Sequence, residues 1–296
     1  MRHRLSSLGL ACAAVALCAS PAAADDWPQW LGPRRDAIWG EKGLATAFPK
    51  DGPKVVWRVP IGEGYAGPAV VKGRVYITDR KKKEADPENP PAKGTLPGTE
   101  RVVCLNAADG KEVWAHSYDC PYANVSYPSG PRTTPVIDGD RLYTLGTMGD
   151  LLCLNVADGK VVWAKNFRKD LNAPVPLWGW SAHLMLDGDR LIALVGGEGQ
   201  AVVAFDKKSG KELWKALSTK EICYSPPVLT EAGGKTQLIV WLSEAIYGLN
   251  PATGEEYWKE KHPAEGEPAR PAVSIITPKR AGDKLLISSF YHGTLC

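Results

Sequence analysis

The chain has 296 residues, of which 44% are hydrophobic and 23% are charged, and its formal net charge is +3. This composition is that of a folded globular protein with enough residues for a large core, and it argues against a disordered chain. So small a net charge indicates no basic face, and we therefore expect no nucleic-acid partner.

The N-terminus has the pattern of a secretory signal peptide. A basic start, MRHR, precedes an apolar stretch, and three alanines form a small-residue cleavage site before Asp25. The apolar stretch is shorter than the ~20 residues that cross a bilayer. We therefore expect residues 1–24 to be removed, and the mature protein to be exported to the periplasm or the cell exterior without spanning the membrane.

Two short segments follow before any repeat begins. Residues 25–52 are rich in Trp, Gly, Pro and Arg, which is typical of an extended N-terminal segment that packs on a larger domain. Residues 54–61 read KVVWRVPI and match only the last strand of the repeat described below. We predict that 54–61 forms the outer strand of the last blade, because ring-shaped repeat proteins commonly close by pairing strands from their two termini.

From residue 53 onward the chain repeats one phrase four times: CLNAADGKEVW (104–114), CLNVADGKVVW (153–163), AFDKKSGKELW (204–214) and GLNPATGEEYW (248–258). Each copy has an Asn or Asp that can bond turn amides, then a glycine suited to positive φ, then a tryptophan suited to packing between sheets. These residues are Asn106, Gly110, Trp114; Asn155, Gly159, Trp163; Asp206, Gly210, Trp214; and Asn250, Gly254, Trp258.

The strands around the phrase repeat as well. Five blocks have a short apolar run, a Gly-containing turn and a second apolar run, the pattern of a β-hairpin. They begin at residues 67, 134, 182, 226 and 277. With a period of 44 to 51 residues between the closing tryptophans, the pattern predicts an all-β fold, a β-propeller of four-stranded antiparallel blades over 53–296.

The first block carries an insertion and the last is incomplete. Residues 81–100 are polar and Pro-rich and are expected to form a solvated loop or, alternatively, a loop that docks a partner. The fifth block runs into Cys296 before a fifth copy of the phrase. We expect four complete blades and part of a fifth, a fragment of a truncated seven- or eight-bladed ring; a small closed ring of about five blades is the alternative.

The repeated phrase resembles the signature of the PQQ-like propeller repeat, and the chain is identified as a member of the quinoprotein alcohol dehydrogenase-like superfamily. That superfamily includes quinoprotein dehydrogenases and the outer-membrane assembly lipoprotein. The segment DDWPQWLGPRRDAIW (25–39) resembles the opening of exported propeller proteins of planctomycete-type bacteria. The resemblance is specific for the fold but says little about the chemistry.

The resemblance to dehydrogenases would imply the cofactor PQQ and a calcium ion. Those enzymes pair the fold with a catalytic Asp, a Trp beneath the quinone and, in many members, adjacent cysteines, and this chain has no Cys-Cys dipeptide. No catalytic, cofactor-binding or metal residue can be named here. Cys104 and Cys153 have the pattern of small buried residues, whereas Cys120 and Cys223 are a possible disulfide.

One set of residues is a candidate for recognition. Residues at the start of each blade line the mouth of a propeller, and exposed aromatic side chains beside an Arg can grip a peptide or stack on a ligand. This set contains Tyr65, Arg132, Trp178, Trp180, His183 and Tyr224. For Trp178 and Trp180 packing between blades is the alternative role.

Three functions remain open. The favoured one is an exported, non-catalytic binding or scaffold propeller with a protein or peptide partner in the cell envelope, as in outer-membrane protein assembly. The second is a PQQ-dependent oxidoreductase of the quinoprotein dehydrogenase type whose cofactor site is incomplete here. The third, suggested by the aromatic residues, is a glycan- or peptide-binding propeller.

Overall fold

A computed structural model describes residues 25–88, 90–262, 273–289 and 293–296. The predicted signal peptide, residues 1–24, lies outside the described residues. Where the chain is described, no helix is long and apolar enough to cross a bilayer. The predicted fold class is confirmed: the chain is all-β and built from four-stranded antiparallel sheets, the blades of a β-propeller.

The strands follow the predicted hairpins and phrases. The strands of blade 1 and its insertion are β1 (Ala69–Val71), β2 (Arg74–Lys82), β3 (Thr95–Leu96), β4 (Gly98–Asn106), β5 (Glu112–Asp119) and β6 (Tyr122–Ala123). Blade 2 contains β7 (Val136–Asp138), β8 (Arg141–Leu145), β9 (Asp150–Asn155) and β10 (Val161–Asn166), and the short helix α1 (Phe167–Asp170) follows it.

The remaining strands form three further blades. Blade 3 contains β11 (Met185–Asp187), β12 (Arg190–Leu194), β13 (Val202–Asp206) and β14 (Glu212–Ala216). Blade 4 contains β15 (Val228–Ala232), β16 (Lys235–Trp241), β17 (Ala245–Leu249) and β18 (Glu256–Lys261). Blade 5 shows three strands among the described residues, β19 (Lys279–Ala281), β20 (Lys284–Ser289) and β21 (Gly293–Leu295).

The insertion of blade 1 lengthens the pairing of β2 with β4, and it also contains a loop and the short strand β3. Strands β2 and β4 pair over nine residues, from Arg74 opposite Asn106 to Lys82 opposite Gly98. Residues 83–88 are exposed, as expected of a solvated loop, but β3 turns back to pair with β6. The insertion is therefore anchored at its C-terminal end.

The core consists of layers between neighbouring blades. Strand β12 shows why: successive side chains of a strand point to opposite faces. Leu191 and Ala193 pack with blade 2, whereas Ile192 and Leu194 pack with blade 4. Each middle strand is thus apolar on both faces, so its sequence reads as a continuous hydrophobic run.

Each repeated phrase forms a tight turn with its own cap. The side-chain oxygen of the Asn or Asp accepts a backbone N–H two or three residues on, at 2.8 to 2.9 Å, in all four copies. The glycine four residues after it has φ between 69° and 75°, a left-handed conformation that favours glycine. An extra residue, a β-bulge, precedes each tryptophan on the outer strand.

The tryptophans join one blade to the next. The Trp114 indole covers Gly159 of the following blade, and its Nε1 donates to the Val156 carbonyl at 3.0 Å. Trp163 and Trp214 make the same contact with the next turn glycine, Gly210 and Gly254 respectively. We call this contact the indole junction.

Residues 54–61 contact blade 1 through a tryptophan. They form no strand, and no pairing with blade 5 occurs among the described residues. Trp57 nevertheless makes an indole junction with blade 1: its ring covers Gly110, and its Nε1 donates to the Ala107 carbonyl at 2.8 Å. Relative to blade 1, Trp57 thus has the position that Trp114 has relative to blade 2, and the pairing of 54–61 with a last blade stays a prediction.

The N-terminal segment runs along the inner edges of all five blades. Trp27 pairs with Val70 of β1, and Pro28 accepts a hydrogen bond from Ile137 of β7. The segment also touches the residues that lead into the next three first strands. The Trp30 ring stacks on His183 at 4.1 Å and its Nε1 donates to Thr277 Oγ1, while Arg35 donates to the carbonyls of Leu184 and Pro227.

Candidate functional site

The candidate site lies at the edge where the first strand of every blade begins. Antiparallel strands alternate in direction, so these starts share one edge with the connections between second and third strands. We call this edge the loop face. Its loops are joined by backbone hydrogen bonds, from Tyr65 N to Pro131 O (2.8 Å), from Ser126 N to Leu177 O (2.7 Å) and from Tyr224 N to Ser274 O (3.0 Å).

Arg132 organises the loop between blades 1 and 2. Its guanidinium donates to the carbonyls of Gly130 (2.9 Å), Ser126 (2.9 Å) and Tyr127 (2.5 Å). It also lies over the Tyr65 ring, 5.2 Å from the ring centre. Burial lowers the pKa of Arg132 from its usual value, but an arginine remains charged at neutral pH. Arg132 therefore holds the loop together and places a positive charge beside an aromatic ring.

Tyr127 is a site residue that sequence reasoning missed. Its backbone is left-handed, with φ of 53°, and its side chain is 68% exposed. A left-handed conformation is uncommon for a bulky residue and marks strain that often accompanies function. The turn-rich sequence PYANVSYPSG (121–130) was the available signal, since Pro, Asn and Gly there predict a loop that would present Tyr127.

Trp178 and Tyr224 form the other half of the site. Their ring centres are 4.9 Å apart with the planes tilted by 34°, and the Trp178 backbone N–H donates to Tyr224 Oη at 3.3 Å. Neighbouring Leu177 is exposed, as is Tyr65 across the loop face. We define the loop-face site as Tyr65, Tyr127, Arg132, Trp178 and Tyr224. Tyr224 is buried and supports Trp178 from below, whereas the rings of Tyr65 and Tyr127 are exposed and Trp178 is half-buried.

Two residues of the predicted set lie elsewhere. Trp180 is 2% exposed; its Nε1 donates to the Val195 carbonyl, and its ring meets Phe167 edge-on. His183 is buried, accepts the Thr134 backbone N–H on Nδ1 and stacks on the ring of Trp30. Both side chains thus pack inside the molecule and are not presented on the loop face.

A buried carboxyl group lies beneath the loop-face site. Glu100 accepts hydrogen bonds from the hydroxyls of Tyr118 (2.6 Å) and Tyr122 and from the Thr147 backbone N–H (3.1 Å). Thr147 Oγ1 in turn accepts from Arg132 at 3.2 Å. Desolvation raises the pKa of Glu100 despite these donors. The network links the buried carboxyl to the arginine that holds the loop.

No group of three or more His, Cys, Asp or Glu side chains able to hold a metal ion occurs in the described ranges. Cys120 and Cys223 are both buried and neither is in a disulfide, so the possible disulfide between them is not formed. Cys104 and Cys153 are buried in the inter-blade layers, as their pattern predicted.

The loop-face site can bind by stacking, by apolar contact and by hydrogen bonding. Tyrosine and tryptophan offer large contact areas and lose little side-chain entropy on binding, which is why they dominate the energetic centres of protein interfaces. The hydrogen bonds between neighbouring loops fix these rings before a ligand arrives, so little ordering remains to oppose binding.

Comparison with known proteins shows which family the sequence matches and which solved structures have a similar fold. The family model PQQ_2, described as outer membrane protein assembly factor BamB, matches residues 98–296. No curated protein sequence matches the chain.

Two solved structures are similar in fold. The quinohemoprotein alcohol dehydrogenase from Comamonas testosteroni has a TM-score of 0.56 and 15% identity, over 89% of this chain and 46% of that one. BamB from Moraxella catarrhalis has a TM-score of 0.49 and 14% identity, over 81% of this chain and 75% of that one. The chain thus spans less than half of the dehydrogenase, and at these identities the likeness concerns the fold alone.

Proposed function

The chain belongs to the family described as outer membrane protein assembly factor BamB, and from this we propose that it is an exported, non-catalytic propeller that binds a protein or peptide partner in the cell envelope. The proposal includes removal of residues 1–24 on export. It assigns recognition to the loop-face site and no catalytic role to any residue.

One observation carries the proposal. Exposed Tyr65 and Tyr127 flank Arg132 on loops whose backbones are already bonded to one another. A rigid aromatic patch of this kind matches the energetic centre of a protein interface, where Tyr, Trp and Arg are enriched. The hydrogen bonds of Arg132 to three carbonyls support a fixed surface, in contrast to a loop that must order on binding.

The test is site-specific photo-crosslinking in intact cells. A benzophenone amino acid at Tyr127 is expected to capture one discrete envelope protein, because its side chain projects from the loop face. The matched control is the same label at Asp140, which is equally exposed but lies in the first turn of blade 2, at the opposite edge of the sheets. Equal capture at both positions, or capture at neither, would contradict the proposal.

The same variants separate the alternatives. Retention on a polysaccharide column that is lost on Tyr127→Ala would indicate a glycan-binding propeller. Stoichiometric PQQ and calcium in the purified protein would overturn the non-catalytic assignment in favour of a quinoprotein oxidoreductase, a possibility that the dehydrogenase fold keeps open.

A further inference from the structure

A second concave region lies between the N-terminal segment and the inner edges of blades 3, 4 and 5. It has a volume of about 540 Å³ and is lined by residues 29–38 on one side and by β11, β15 and the start of blade 5 on the other. We call it the inner cavity. Its volume lies within the range of about 300 to 1,000 Å³ that is usual for small-molecule sites. It shares no residue with the loop-face site.

The charge of the inner cavity is strongly unbalanced. Four basic side chains line it, Arg34, Arg35, Lys279 and Arg280, against one acidic side chain, Asp36. Asp36 is paired with Arg34, at 2.8 Å. The other three basic groups form no ion pair with any described residue. The cavity therefore carries a positive field that favours an anionic ligand.

Arg35 is the central cation. Its Nη1 donates to the Leu184 carbonyl at 2.9 Å and its Nη2 to the Pro227 carbonyl at 3.3 Å, so the guanidinium is fixed between blades 3 and 4. Its Nε is buried and has no hydrogen-bond partner among the described residues. The Arg35 charge is therefore incompletely compensated by protein groups, and an anion in the cavity beside it would be stabilised.

The backbone that carries Arg35 is held in an unusual shape. Leu31, Arg35 and Ala37 all have left-handed φ angles, of 63°, 55° and 62°. Three such residues within seven positions cost free energy, and strain of this kind concentrates at ligand sites. The Arg35 contacts with two blades are among those that hold this shape in place.

The opposite wall of the inner cavity is apolar. Met185 and Leu186 of β11 and Val228 and Leu229 of β15 supply it, and Leu229 is partly exposed. A fully hydrated inorganic ion would leave this wall without a contact. An aliphatic or aromatic group would cover it and gain about 25 cal/mol for each Å² of apolar surface removed from water.

We propose that the inner cavity binds a small organic anion with an apolar body, whose carboxylate, sulfonate or phosphate is attracted by the unpaired cations Arg35, Lys279 and Arg280 while its body covers β11 and β15. This site is independent of the protein-binding role proposed for the loop face. The ligand would also join the N-terminal segment to blades 3 to 5.

The test compares two fluorescent probes that differ mainly in charge. The full chain is titrated with 1-anilinonaphthalene-8-sulfonate and with its uncharged analogue N-phenyl-1-naphthylamine, under conditions where near-ultraviolet circular dichroism shows native packing. The sulfonate is expected to bind at one site and at least about tenfold more tightly, as one charge-assisted hydrogen bond implies. Equal affinity for the two probes would overturn the proposal.

Variants then locate the bound probe. Arg35→Gln is expected to weaken the sulfonate about tenfold and to leave the neutral probe unchanged. If that variant does not fold, Lys279→Gln tests the same charge at a less buried position, and Leu229→Trp fills the cavity and is expected to exclude both probes. Arg168→Gln, an exposed arginine of α1, is the matched control and should change nothing. Sulfonate binding that is insensitive to Lys279→Gln and Leu229→Trp would overturn the proposal.

Discussion

Two neighbouring junctions, between blades 3 and 4 and between blades 4 and 5, each have a tryptophan at the same position of the outer strand. The two indoles make different contacts. Trp214 covers Gly254 of the next blade and donates to the Pro251 carbonyl at 3.2 Å. Trp258, at the matching position one blade on, turns back onto its own blade, where it packs against Gly248 and donates to Gln237 Oε1 at 2.6 Å. Tryptophans at the same position of the outer strand therefore contact the next blade in one case and their own blade in the other.

The two junctions also differ in the other contacts that hold the neighbouring blades together. Trp241, Ile239 and Ile246 of blade 4 still pack with Ile287 of blade 5. Blade 5 gains further contacts from Trp30, which donates to Thr277, and from Arg280, which donates to the Glu231 carbonyl at 2.5 Å. Inner-edge contacts thus take the place of the indole junction there.

The largest expected effect comes from removing an indole that completes a junction. Trp214→Ala should lower the free energy of unfolding by about 3 to 5 kcal/mol, because a buried aromatic side chain is lost and a cavity remains. Trp258→Ala should cost about 1 to 2 kcal/mol, since its ring is only half-buried and covers no turn glycine among the described residues of blade 5. Urea unfolding followed by tryptophan fluorescence measures both, and equal losses would refute the distinction.

The second effect tests the glycine under the indole. A Cβ on Gly159 would lie 2.5 Å from the Trp114 ring and would also face a φ of 70°. Gly159→Ala should therefore cost about 2 to 4 kcal/mol, which combines overpacking with backbone strain. Gly139 has a similar φ of 61° but open space around it, so Gly139→Ala should cost only about 1 to 2 kcal/mol.

If the two glycine variants lost the same stability, φ alone would explain the conserved position within the repeat. If Gly159→Ala lost more stability than Gly139→Ala, the excess would measure the clash with the Trp114 indole at the junction. Thermal unfolding of the two variants at one pH is sufficient for this comparison.

The smallest expected effect is the pH dependence of stability that arises from His183 at the inner edge. Burial, with Arg35 nearby, lowers the pKa of His183 to about 3, so the folded protein holds the imidazole neutral. The unfolded chain binds a proton below about pH 6.5, and stability therefore falls as the pH drops from about 6.5 toward 3. Between pH 7 and 5.5 the loss should be about 1 kcal/mol.

The measurement is urea unfolding of the wild type and of His183→Phe at both pH values. The variant keeps a ring against Trp30 but cannot titrate, so the loss between pH 7 and 5.5 should shrink by about 1 kcal/mol. An unchanged pH dependence would contradict the lowered pKa, because it would show that His183 has the same pKa in the folded and the unfolded chain.

The sequence predicted much of the fold because its strongest signals are local. Asn106 and Gly110 define a turn by their own chemistry, and the spacing to Trp114 follows from it. The direction of Trp258 could not be predicted, because its phrase has the same pattern as the three phrases whose tryptophans contact the next blade. The role of 54–61 as an outer strand stays a prediction, and Trp57 makes the repeat contact with blade 1.

The site was less predictable than the fold. Tyr65 and Tyr224 follow from their position before a first strand, but Tyr127 depends on a left-handed backbone that Arg132 stabilises through space. Trp180 and His183 have the same position in the sequence pattern, yet they are buried against Phe167 and Trp30. Burial of this kind results from long-range packing that periodicity does not encode.

The N-terminal segment imposes an order on folding. Trp30 and its hydrogen-bond partner Thr277 are 247 residues apart. During synthesis the Trp30 indole is made early, and its contact with Thr277 can form only after blade 5 has been synthesised. Contacts of such high sequence separation slow folding. Blades 1 to 3 are therefore expected to fold before Trp30 contacts Thr277. Formation of that inner-edge contact is a late kinetic step.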